Sequence, residues 1–152
     1  MYKFILIIAL CLIAVSLGAQ SGLFGLRFNE SYTEAEKSLL DNGLVRKAQD
    51  RYTVDFEPKT KDKIVGLTVY RHPESNKLIG WLIAYPPTRD PAATHPVVKE
   101  LISLHGVEFD FRKSANIYSW SVDEGKVVMS YPHTRAGVYC VLYMDPAYEA
   151  LF

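Results

Sequence analysis

The groups able to do chemistry in this chain are few: His72, His95, His105 and His133, Cys140, and a scatter of carboxylates. Tyr70-x-His72 and Tyr131-x-His133 recur 61 residues apart, each in a hairpin-like polar stretch. If those two loops met, and Glu74 or Asp123 supplied a third ligand, they would make a metal site. That is one reading, a small exported metal-dependent hydrolase. Histidines in turns are ordinarily solvated, however, and the chain has no H-E-x-x-H, G-x-S-x-G, P-loop or paired C-x-x-C. Cys140 and His133 have the types of a thiol–imidazole pair, but no third group is placed to orient the imidazole. Cys140 reads instead as a small buried hydrophobe. Asp55, Glu57, Asp110, Asp123 and Glu124 show no pairing for acid–base work. The sequence points away from an enzyme and implies no cofactor, metal or catalytic residue.

The aromatic residues are more informative. In the run 78–85, Ile79, Trp81, Ile83 and Tyr85 share one face, and Leu78, Gly80, Leu82 and Ala84 the other. In 138–144, Tyr139, Val141 and Tyr143 alternate with Val138, Cys140, Leu142 and Met144. The aliphatic, sulfur-bearing rows suit a core beneath helices. The aromatic rows then become an open sheet face, and Trp81, Tyr85, Tyr139 and Tyr143 are its candidate partner-binding residues. A partner protein, or a second copy of the chain, is the expected occupant. The competing reading puts the aromatic row in the core.

Two helices must support these strands. Ser31 and Glu34 have the spacing of a capping box, Tyr32, Ala35, Leu39 and Leu40 form a stripe, and Gly43 follows as a stop, which predicts a helix over 31–42. A second helix is predicted from about 91 to 105, capped by Asp90 or Thr94, with Val97, Val98, Leu101 and Ile102 as its stripe and Gly106 as its end. Gly22 to Phe28 reads as a short leading strand. Strands are expected at 51–57, 63–70, 78–85, 107–111, 116–122, 126–131 and 138–144. Pro86 and Pro87 mark the linker between halves.

The two halves carry the same order. Gly43 and Gly106 lie 63 residues apart, as do Lys63-Ile64-Val65 and Lys126-Val127-Val128. The predicted fold is therefore α+β, with two tandem helix-then-antiparallel-meander repeats: residues 20–86 with a helix and three strands, and 87–152 with a helix and about four. Neither unit can bury its own sheet face, so they should share one sheet with both helices on one side. The run Phe24-Gly25-Leu26-Arg27-Phe28, leading into Ser31-Tyr32-x-x-Ala35 and ending at Asn42-Gly43-Leu44, resembles helix-plus-sheet repeats of exported bacterial proteins. Such repeats occur in tandem in β-lactamase-inhibitory-protein-like folds and singly in the small lipoprotein of the outer-membrane β-barrel assembly machine. The resemblance implies protein binding through a sheet face without catalysis. The chain departs from the pattern at Asn29, where glycine is usual, and in having no lipid-anchoring cysteine.

The N-terminus directs the chain outward. One lysine precedes an apolar run from Phe4 to Leu17, and Gly18-Ala19-Gln20-Ser21 offers small residues for cleavage. About 14 apolar residues are too few to span ~30 Å of hydrocarbon, so 1–19 reads as a signal peptide and the protein as secreted or periplasmic, with no stable membrane anchor after cleavage. Losing Lys3 from the 17 basic residues leaves 16 against 17 acidic ones. That balance offers no footprint for nucleic acid. With Cys11 removed, Cys140 has no disulfide partner within the chain.

Overall fold

The computed structural model describes residues 21–60, 63–90 and 93–152. The expected signal peptide over 1–19 lies outside the described residues. The architecture is α+β. Helix α1 (Tyr32–Asp41) is followed by strands β1 (Leu44–Gln49), β2 (Thr53–Pro58), β3 (Gly66–Arg71) and β4 (Leu78–Tyr85). Helix α2 (Pro96–His105) is followed by β5 (Asp110–Arg112), β6 (Ile117–Val122), β7 (Lys126–His133) and β8 (Val138–Met144). The eight strands form one sheet in the order β1-β2-β3-β4-β8-β7-β6-β5, every neighbouring pair antiparallel. Tyr32, Ala35 and Leu39 of α1 and Val97, Val98 and Leu101 of α2 share one core cluster with Val54, Trp81, Val141 and Trp120. Both helices therefore cover the same face. Among the described residues, no helix is long and apolar enough to cross a membrane.

Helix α1 forms where its stripe places it, but its start is built differently. Ser31 is the N-cap residue with extended backbone, yet its side chain makes no capping bond. Its carbonyl accepts from the amides of Glu34 and Ala35, and its backbone bridges Lys77 in the β3–β4 hairpin. The strand-like bridge turns Ser31 toward the sheet, so the Ser31/Glu34 capping box does not close. Leu40 is also corrected: it is 44% exposed, while Leu39 is fully buried. One residue is about 100° of helical turn, enough to carry Leu40 past the rim of a narrow stripe. Gly43 has φ +83° and ends the helix in the left-handed region, where glycine carries no Cβ penalty.

Helix α2 starts at Pro96, later than expected, and its cap is neither Asp90 nor Thr94. The N-cap is His95, whose Nδ1 accepts the Val97 amide at 3.2 Å. Proline at the first helical position needs no amide partner, so the imidazole serves the next orphan donor. Two strand expectations also change. Leu23–Gly25 is a turn of 3₁₀ helix, not a strand, with Phe24 at φ 64° and Leu23, Leu26 and Phe28 buried. In exchange β1 is a strand that the sequence conceals, giving the first half four strands. Only Leu44 of β1 is buried; the other five residues are exposed, so no alternation marks it.

Candidate functional site

The registers of the pairings assign each side chain of the sheet to a face. One row runs Val54–Val69–Trp81–Tyr143–Val128–Trp120 across six strands, and every member is buried beneath the helices. Trp81 and Tyr143, from the central strands of the two halves, are direct cross-strand neighbours stacked at 4.4 Å, and Tyr85 pairs with Tyr139 in the same ladder. Trp81, Tyr139 and Tyr143 are core residues and Tyr85 is half-buried. The open aromatic face expected from the sequence is thus corrected: the helices cover the aromatic row. The aliphatic, sulfur-bearing row points away from them.

The face without helices, here the outer face, has its own register. Asp55–Thr68–Leu82–Leu142–Met129–Ser119–Asp110 is one row, polar at both ends and apolar in the middle. Gly66–Ala84–Cys140–Tyr131 is the next, and toward the β5 edge Ile117 pairs with Arg112, so that this side of the sheet is small or apolar until the charge at Arg112. Leu82, Ala84, Met129 and Tyr131 are half-buried, and Leu142 and Cys140 between them are buried. The expected alternation fails at one place in β4. A bulge between Tyr70 and Arg71 sets Leu78, not Ile79, opposite Arg71, and Leu78 joins the core cluster. At that end the segment Pro146–Leu151 and Phe152 fold back over the sheet. Phe152 lies 4.2 Å from the Tyr70 ring, and a Cβ on Gly80 would fall 2.4 Å from its Cζ. Glycine at position 80 is what lets that ring lie flat on the strand.

The histidines have structural partners. β4 and β8 are antiparallel, with Gly80 beside Met144 and Tyr85 beside Tyr139. The β3–β4 hairpin holding His72 and the β7–β8 hairpin holding His133 therefore lie at opposite ends of the sheet, ~16 Å or more apart by strand rise. The metal site built on that pair cannot form. Each Nδ1 instead accepts amides of its own turn, from Glu74 and Ser75 at His72 and from Ala136 at His133. No group of three or more His, Cys, Asp or Glu is placed to hold a metal among the described residues. Cys140 is buried, and burial pushes its thiol up, away from a reactive thiolate.

His95 and His105 are the two histidines inside the fold. The His95 ring stacks on Tyr139 at 4.3 Å and spans two hydrogen bonds, accepting from the Val97 amide through Nδ1 and donating from Nε2 to the Pro86 carbonyl at 3.0 Å. His105 Nε2 lies 2.9 Å from the Tyr143 hydroxyl, which accepts the Leu23 amide; His105 Nδ1 is buried without a hydrogen-bond partner. Burial holds both imidazoles below their ordinary range, opposed at His95 by the Pro86 bond and at His105 by the charge of Asp123. Protonating Nδ1 of His95 would also turn the acceptor that caps α2 into a second donor facing an amide. The unfolded chain takes up these protons near pH ~6.5 and the folded chain only below that. Stability should hold constant above that pH and fall as pH drops through it, read as a declining urea midpoint between pH 7 and 5. His95→Gln with His105→Gln should flatten the decline; a wild-type midpoint that is level or rises toward pH 5 would contradict this assignment.

No protein-family model, curated protein or solved structure matches this chain.

Proposed function

We propose that the protein is an exported, non-enzymatic binding module, envelope-associated or inhibitor-like, that takes a protein partner on the outer face of its sheet. The observation that carries this reading is the outer row, in which Leu82, Leu142 and Met129 sit side by side between polar ends at Asp55 and Asp110. An apolar centre with a polar rim is the usual anatomy of a protein interface. The rim is set by Thr68 Oγ1 donating to Asp55 at 2.7 Å on one side and by Asp110 and Arg112 on the other. The central residues lie on strands of an eight-stranded sheet, which holds them rigid, and rigid apolar anchors lose little entropy on binding. The tandem-repeat ancestry suggested by the spacings belongs to the same proposal.

The test is site-specific capture. A photo-reactive side chain at Met129 should cross-link a protein from the envelope fraction of the source cells that the same group at Lys37, on exposed α1, does not reach. The purified partner should then bind at least tenfold more weakly to Leu82→Arg and Met129→Arg, about 1.4 kcal/mol each, with melting temperature nearly unchanged. Equal capture from both positions, or affinity indifferent to both variants, would remove the outer face from the proposal. Export is tested separately by N-terminal sequencing: a mature chain should begin near Gly18 to Gln20, and retention of Met1 would contradict it.

A further inference from the structure

We infer that β5 is a self-complementary edge on which two copies of this chain pair, joining their sheets across a two-fold axis through Phe111. The two edges of the sheet are built differently. At β1 the register breaks between Arg46 and Ala48, a bulge that disrupts the ladder, and its cations are engaged, Arg46 with Glu36 at 3.0 Å and Lys47 with Glu57 at 3.3 Å. Bulges and charged side chains are how natural sheets keep an edge from pairing. β5 has no bulge: Asp110, Phe111 and Arg112 pair in unbroken register with Ser119, Tyr118 and Ile117. All three are exposed, and the approach to the strand carries the most exposed large hydrophobic among the described residues, Val107 at 77%, with Phe111 at 46%.

The charges choose the partner and the register. Two identical antiparallel strands related by a two-fold axis must set one residue opposite itself. Centring on Asp110 opposes two carboxylates, and centring on Arg112 opposes two guanidinium groups; like charges directly opposite destabilise a pair. Centring on Phe111 sets each Asp110 opposite the other copy's Arg112, twice, and brings the two Phe111 rings together at the axis. Phe111 already stacks on Tyr118 at 4.4 Å, so its ring is held for that meeting. Asp110 and Arg112 stand on the outer face, one residue out of phase with Phe111, and the pairing continues that face from one copy into the next. A second copy fits this edge because the strand is complementary to itself.

Sedimentation of the protein over a dilution series from about 1 mM to about 1 μM, the span of weak association, reads the proposal. The wild-type chain should pass from dimer to monomer within it. Asp110→Arg and Arg112→Asp, each exposed and with no role in the core, should each weaken the dimer at least about fivefold by placing like charges opposite one another. The double variant carrying both changes should restore it. High salt should weaken the wild-type dimer. A monomer throughout the series overturns the proposal. A dimer indifferent to the single variants, or one the double variant fails to restore, places any contact elsewhere and overturns it equally. Circular dichroism of each variant confirms that the fold is kept.

Discussion

Trp81→Ala should lower folding stability by about 3–5 kcal/mol, the cost of truncating a fully buried large aromatic. The side chain has no exposed surface and stacks on Tyr143 at 4.4 Å with the planes 13° apart. The Phe28 ring packs against it at 5.0 Å and lies 6.5 Å from Tyr143, and a Cβ on Gly22 would come within 2.5 Å of Cζ2. These neighbours come from three separate parts of the chain: the 3₁₀ segment before α1, the segment leading into it, and β8. None can collapse into the space without losing its own register, so a cavity remains and its cost is felt in full. The melting temperature should fall by about 10 °C or more for a domain of this size. Trp81→Phe should cost much less, because it keeps most of the ring area and removes an indole N–H that is buried without an acceptor. A Trp81→Ala melting temperature within about 2 °C of wild type, the shift of an ordinary surface change, would mean that the aromatic row is not the core.

The second large effect separates two adjacent leucines. Leu39→Ala should cost about 2–5 kcal/mol, while Leu40→Ala should stay within about half a kcal/mol. Leu39 is completely buried in the cluster that α1 forms with Leu44, Val54 and Phe56, whereas Leu40 is 44% exposed one step around the helix. Equal losses at both positions, measured by urea denaturation, would mean that α1 is rotated about its axis from the arrangement described here. The comparison is insensitive to helix propensity, since alanine is the better helix former at both sites.

Much of the architecture follows from local pattern. The stripes Tyr32–Ala35–Leu39 and Val97–Val98–Leu101 are long enough to place both helices, and Gly43 and Gly106 mark their ends because both must take positive φ. β4 and β8 stand where their apolar runs put them. Asn29 at φ 63° is the left-handed bend that asparagine tolerates ahead of α1. The α+β class, the two helices and the central strands were legible in this way, because each depends on residues near one another in the chain. The shared antiparallel sheet with both helices on one side was legible from the matching element order of the two halves.

The face that the helices cover was decided only in the tertiary structure. In β4, Trp81 and Ile83 alternate with Leu82 and Ala84, and in β8, Val141 and Tyr143 alternate with Cys140 and Leu142; both faces of the central strands are apolar, so alternation there carries no direction. The direction comes from a distant strand. Val54 and Phe56 of β2 alternate with Asp55 and Glu57, a real polar contrast, and register carries it through Val69 into Trp81 and Tyr143. Without that register the contrast in β2 could not be applied to β4. The same holds for the loop histidines, which share a local pattern and are set at opposite ends of the sheet by the β4–β8 pairing. Local sequence determined what each strand is; pairing between distant strands determined which way it faces, because a side chain's face is fixed only relative to its neighbours in the sheet.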